Sequence, residues 1–188
     1  MRNFGAWFVL GLLPLGSLAW ADGEQGSGAA AAASREIRRG SKLATFGGCH
    51  DCHTPKVMTA KGPALDQSRL LSGFPAQQAL PPVPAGTLGP NKWGALATND
   101  LTAWTGPWGT SFAANLTPDA TGLGAWTLKD FVKTMRSGKH LGGTRDILPP
   151  MPWFNMAGLS DTELRALFAY LKSVKPIANR VPEPIPPQ

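Results

Sequence analysis

The two cysteines of this chain stand three positions apart, and a histidine follows directly: Cys49-His50-Asp51-Cys52-His53. Two thiols on one tight helical turn can add to the two vinyl groups on one porphyrin edge. The next residue, His53, then offers its imidazole to the iron from the same face. C-x-x-C-H is the attachment signature of a c-type haem, and a neutral imidazole is a good iron ligand. Zinc fits less well, because it takes four tetrahedral ligands, usually from a second pair at fixed spacing. Beyond the cluster only His140 remains. A redox dithiol of this spacing belongs in a βαβ pattern, which is missing here. A structural disulfide across two residues is the plain alternative.

An iron with one protein ligand binds gases or catalyses, whereas histidine plus methionine makes an electron carrier of raised potential. The candidates for the second ligand are Met58, Met135, Met151, Met156, His50 and His140. Met58 follows His53 by five residues and belongs on the wrong side of the ring. Met135 falls on an apolar helical stripe and reads as core filler. Met151 stands in Leu148-Pro149-Pro150-Met151-Pro152-Trp153, where prolines stiffen the backbone and remove N–H donors. Such a segment holds a thioether over the iron at little ordering cost. The expected site is therefore Cys49, Cys52, His53 and Met151, with His53 and Met151 on the metal. Met156, a histidine or an open sixth position stay as alternatives. The other ring nitrogen of His53 needs an acceptor. The Pro63 carbonyl is one candidate, unless Gly62-Pro63 only makes a turn.

Three helices must position these groups. Ile37, Gly40, Leu43 and Ala44 share a face from about Arg35 on, and Gly47-Gly48 ends that pattern just before the cysteines. Thr127 reads as an N-cap for a stripe of Leu128, Phe131, Val132 and Met135, closed by Gly138. Ser160 and Glu163 form a capping box ahead of Leu164, Leu167, Phe168 and Leu171. Lys172 and Lys175 suit the negative helix end, and Pro176 stops the helix. Between Leu71 and Pro118 only Lys92 and Asp100 are charged. This Pro- and Gly-rich stretch carries Trp93, Trp104 and Trp108 without sustained periodicity, so it reads as a long ordered loop.

The N-terminus reads as an export signal, with an uncleaved anchor helix as the alternative. Arg2 precedes an apolar run from Phe4 to Leu18, and Ala19-Trp20-Ala21 matches the small-x-small cleavage pattern. The expected organisation is a signal over 1–21, a flexible leader over 22–34, a domain over 35–180 with a loop insertion over 70–118, and a Pro-rich tail over 181–188. No later stretch is apolar enough to span a bilayer. With 188 residues, one such domain fills the chain. The net charge of +6, without a dense Lys/Arg tract, argues against nucleic acid as a partner.

Together these motifs resemble the class I cytochrome c family. Gly40 lies nine residues before the first cysteine, as in that family, and Leu167-Phe168-Ala169-Tyr170-Leu171 fits its last helix. Met151-Pro152-Trp153-Phe154 and Leu159-Ser160-Asp161 match the pattern that precedes this helix. Asn115-Leu116-Thr117-Pro118-Asp119, through Thr121 to Thr127, is similar to cytochrome subunits of periplasmic alcohol, aldehyde and gluconate dehydrogenases. The resemblance implies an all-α fold around one covalent haem c, with the loop as an insertion. It implies a periplasmic single-electron carrier, free or peripheral at the inner membrane, and not an enzyme. Its partners would be redox proteins such as a periplasmic dehydrogenase or a terminal oxidase. A haem sensor with an open sixth site and a tightly bound dehydrogenase subunit are the rival readings. The family's exposed haem edge would lie near Lys56 and Lys61. With Lys129, Lys133, Arg136, Lys139 and Arg145 these suggest an acidic partner face, unless the low-charge loop makes an apolar contact instead.

Overall fold

The structure, a computed structural model, describes Met1 and residues 21–187. The expected signal run from Arg2 to Trp20 lies outside the described residues. The described residues fall into two units, divided between Ala33 and Ser34. Helix α1 covers Ala21–Phe46. It takes in the segment expected as a flexible leader, because alanine is the best helix former and Ala29 to Ala33 extend the pattern backwards.

The second unit holds every other element. Helix α2 is the single turn Cys49–His53. A hairpin follows, β1 (Lys56–Thr59) and β2 (Gly62–Leu65), in antiparallel register from Lys56↔Leu65 to Thr59↔Gly62. Strands β3 (Leu96–Ala97), β4 (Ala103–Gly106) and β5 (Gly109–Phe112) make a second antiparallel sheet in the order β3-β4-β5. Helices α3 (Leu128–Ser137), α4 (Trp153–Ala157) and α5 (Asp161–Ser173) complete the unit.

The two sheets overturn the all-α expectation: the fold mixes helix and strand. Part of the stretch expected as an irregular loop over 70–118 is the β3-β4-β5 sheet. Its strands are two to four residues long, too short for alternation to stand out in a sequence window. Their pairing also uses polar contacts, such as Thr105 Oγ1 to Thr110 Oγ1 at 2.8 Å across β4 and β5. The tail adds to this sheet. Ile185 exchanges both backbone hydrogen bonds with Thr110, at 2.8 and 2.9 Å.

Both expected caps are present. Thr127 and Asp130 bond reciprocally at the start of α3, and Ser160 and Glu163 do so at α5. Gly138 ends α3 in the left-handed region at φ 66°. The apolar stripes meet in one core of Ala44, Leu71, Leu123, Phe131, Met135, Leu164, Leu167, Phe168 and Leu171. Phe131 and Phe168 pack with ring centroids 5.2 Å apart, which joins α3 to α5. Each such side chain, fully buried, contributes roughly 1.5–3 kcal/mol.

Candidate functional site

Backbone geometry delivers the cysteine turn. The Gly47 amide bonds to Leu43 O at 2.8 Å and closes α1. Gly48 then turns the chain with φ 67°, and a Cβ there would lie 2.9 Å from Asp51 Oδ2. Glycine meets that conformation without steric cost. Asp51 N bonds to Gly48 O at 2.9 Å, which starts α2. Cys49 and Cys52 are one turn apart, half-buried and unbridged. Cys49 packs against the core. Burial pushes its free thiol up to about 11 and also raises that of Cys52. Neither is the low-pKa thiolate of a redox dithiol.

His53 is 8% exposed. Its Nδ1 lies 2.8 Å from the Ala114 carbonyl oxygen, so Nδ1 carries the proton and donates it. Nε2 then keeps its lone pair and has no hydrogen-bond partner among the described residues. Burial holds the imidazole below its ordinary pKa, against the Ala114 bond, and the Lys56 charge acts in the same direction as burial. The ring is neutral, as an iron ligand must be. The acceptor is Ala114, not Pro63. Pro63 sits in β2 opposite Met58 and serves the hairpin.

The Ala114 carbonyl is itself tightly placed. Residues 71–74 run beside 113–116, through Phe74 N to Ala113 O at 2.9 Å and Leu116 N to Leu71 O at 2.8 Å. Gly73 lies between them at φ 78°, where a Cβ would fall 2.7 Å from Ala114 O. Ala114, Gly73 and Asn115 were not expected as site residues. The only sequence signal was the Asn115 to Asp119 motif, which has no chemistry legible on its own.

Met151 comes from a separate segment. Its carbonyl accepts from Trp153 N at 2.9 Å, and Ser111 Oγ of β5 donates to Pro149 O at 2.5 Å. Trp153 packs on Gly138, where a Cβ would meet its indole Cζ2 at 2.6 Å. Met151 is half-buried and stands outside the core cluster, whereas Met156 packs against that cluster. The Met156 methyl also lies 3.4 Å from the position of a Gly47 Cβ. The other candidates are engaged elsewhere. Met135 is in the core, Met58 is exposed, and His140 meets Trp126 edge-on at 5.4 Å. His50 lies 3.2 Å from Thr54 Oγ1 and 3.4 Å from the Tyr170 hydroxyl.

Two free thiols on one turn, beside a buried imidazole of fixed tautomer, suit a covalently held haem. The family model for cytochrome c matches residues 37–175. The chain belongs to the cytochrome c family.

This c-type cytochrome is 41% identical over 81 residues to the cytochrome c subunit of a quinone alcohol dehydrogenase from Gluconobacter oxydans. That match takes in 41% of the chain and 17% of the relative. It is 30% identical over 145 residues to the gluconate 2-dehydrogenase cytochrome c subunit of Pantoea cypripedii, covering 76% of the chain and 24% of the relative. The fructose dehydrogenase cytochrome subunit of Gluconobacter japonicus is 36% identical over 73 residues, which is 38% of the chain and 15% of that protein. The chain thus spans less than a third of these relatives. Its cofactor is haem c, with which the spacing of Cys49 and Cys52 is consistent, and it is an electron-transfer protein. When bound, the haem supplies a one-electron iron couple. The protein contributes position, burial and ligand basicity.

Proposed function

We propose that this cytochrome works in the periplasm, with His53 and Met151 as the two iron ligands, and carries single electrons away from a dehydrogenase. The observation that carries the ligand reading is the 2.8 Å bond from His53 Nδ1 to Ala114 O, which leaves Nε2 for the metal. Met151 is favoured over Met156 because Met156 is already part of the core packing. The dehydrogenase partner is supported by relatives that are named as cytochrome subunits of alcohol, gluconate and fructose dehydrogenases. The small-x-small signal pattern at Ala19 to Ala21 supports export. Among the described residues no helix is long and apolar enough to cross a membrane.

Absorption spectra of the reduced protein with and without carbon monoxide test the ligand pair. Wild type keeps a closed sixth site and ignores the gas. Met151→Ala opens the site and lowers the potential, since a thioether stabilises reduced iron. A spectrum that changes with Met156→Ala and not with Met151→Ala overturns the assignment.

A further inference from the structure

Asn179 lies beyond both the last helix and the residues matched by the family model. Its side-chain amide makes three hydrogen bonds. Nδ2 donates to Ser72 O at 2.7 Å and to Phe74 O at 2.8 Å, and Oδ1 accepts from Ala76 N at 3.0 Å. Ser72 and Phe74 are the residues on either side of Gly73. The amide therefore grips the chain at both flanks of that glycine.

Gly73 touches both His53 and the acceptor of its ring. Its amide donates to the main-chain oxygen of His53 at 2.8 Å. A Cβ on it would also strike the Ala114 carbonyl that accepts from the ring, at 2.7 Å from the oxygen. The segment bearing Ala114 is held by the same C-terminal segment. Buried Asn115 donates from Nδ2 to Ile177 O at 2.8 Å and to Asn179 O at 3.3 Å. Thr121 Oγ1 accepts from Asn179 N at 2.9 Å and from Asn115 Nδ2 at 3.1 Å. The segment after α5 thus fastens both walls of the slot in which the His53 ring donates.

We propose that Asn179 is a positioning residue for the proximal histidine, fixing Gly73 and the Ala114 carbonyl so that His53 Nδ1 keeps a short, strong hydrogen bond. This role presupposes His53 as an iron ligand. A firm acceptor on Nδ1 raises the basicity of the imidazole and so favours oxidised iron. Loosening the grip weakens that bond and moves the potential upward. No part of the role requires contact between Asn179 and the haem.

The test uses the full-length holoprotein in three variants. Asn179→Ala removes the amide, and Asn179→Leu keeps nearly its volume without donors; both are neutral and add no field of their own. Ser160→Ala, at the cap of α5, lowers stability at a place with no bond to this network. The measurements are the reduction potential, exchange of the His53 Nδ1 proton in the reduced state, and the unfolding midpoint. Both Asn179 variants should raise the potential and speed the exchange by about tenfold or more, the effect of local opening near the site. Ser160→Ala should lower the midpoint and leave the other two unchanged. Asn179 variants that lose stability but keep the wild-type potential and exchange overturn the proposal and leave the ligand reading intact. A wild-type protein whose His53 Nδ1 proton is unprotected and whose spectrum lacks histidine ligation overturns the ligand reading itself.

Discussion

Gly40 of α1 lies directly against the main chain of Ala166 in α5. A Cβ on Gly40 would stand 2.6 Å from the Ala166 carbonyl carbon and 2.7 Å from Tyr170 Cβ. Glycine in mid-helix costs about 1 kcal/mol relative to alanine. Here that cost permits the helix crossing that brings the α1 end, and so the cysteine turn, to the core. Gly40→Ala recovers the helical preference but meets backbone that cannot yield. We expect a net loss of about 2 kcal/mol, in the range of overpacked cores. Chemical unfolding of the holoprotein would read it, and an unchanged or raised midpoint would contradict the close crossing.

Met156→Ala should separate packing from ligation. The side chain is half-buried against the core, so its loss should cost about 2 kcal/mol, the lower end for such truncations. The visible spectrum and the reduction potential should stay as in wild type. A large shift in potential with little change in stability would show that the sulfur serves the iron after all.

Acid should weaken the cap of α5. Backbone and hydroxyl hydrogen bonds from Ser160, together with Arg39, hold the Glu163 carboxyl below its ordinary 4.5. A depressed folded-state value means that the stabilisation is fully present above the unfolded value. It is lost as pH falls through the folded one. Glu163→Gln should therefore show a shallower loss of stability than wild type between pH 5 and acid, in a series of urea titrations. Parallel curves would remove Glu163 from the acid response. Ser160→Ala should cost about 1 kcal/mol at neutral pH.

Electron exchange with an acidic redox partner should slow as salt rises. Lys61, Lys129, Lys133 and Arg145 are exposed and in no ion pair among the described residues. Arg136 is paired with Asp161, and Lys139 with Asp146. The pairing trims the steering charge, so the slope should be modest. Stopped-flow rates across an ionic-strength series would measure it. A flat profile would move the docking surface to the low-charge loop, where Trp93 is 69% exposed and Leu80 and Val83 are exposed as well.

The parts of this molecule legible in its sequence are those whose chemistry is local. The cysteine turn, the Thr127 cap, the Ser160–Glu163 capping box and the apolar stripes of α1, α3 and α5 each lie within a few consecutive residues. The parts that were not legible depend on distant partners. Ala114 has no side-chain signal at all, because its carbonyl does the work and lies 61 positions from His53. The β3-β4-β5 sheet escaped because its strands are short and joined by hydroxyls. Asn179 escaped because one asparagine just beyond the last helix has no periodicity to betray what it grips.

The reach of the Asn179 side chain also sets an order of events during synthesis. The residues it grips precede it by 103 to 107 positions. A growing chain therefore completes the slot around the His53 ring only after Asn179 has been made. Contacts so far apart in sequence form late, because the entropy of closing the loop must be met before they stabilise anything.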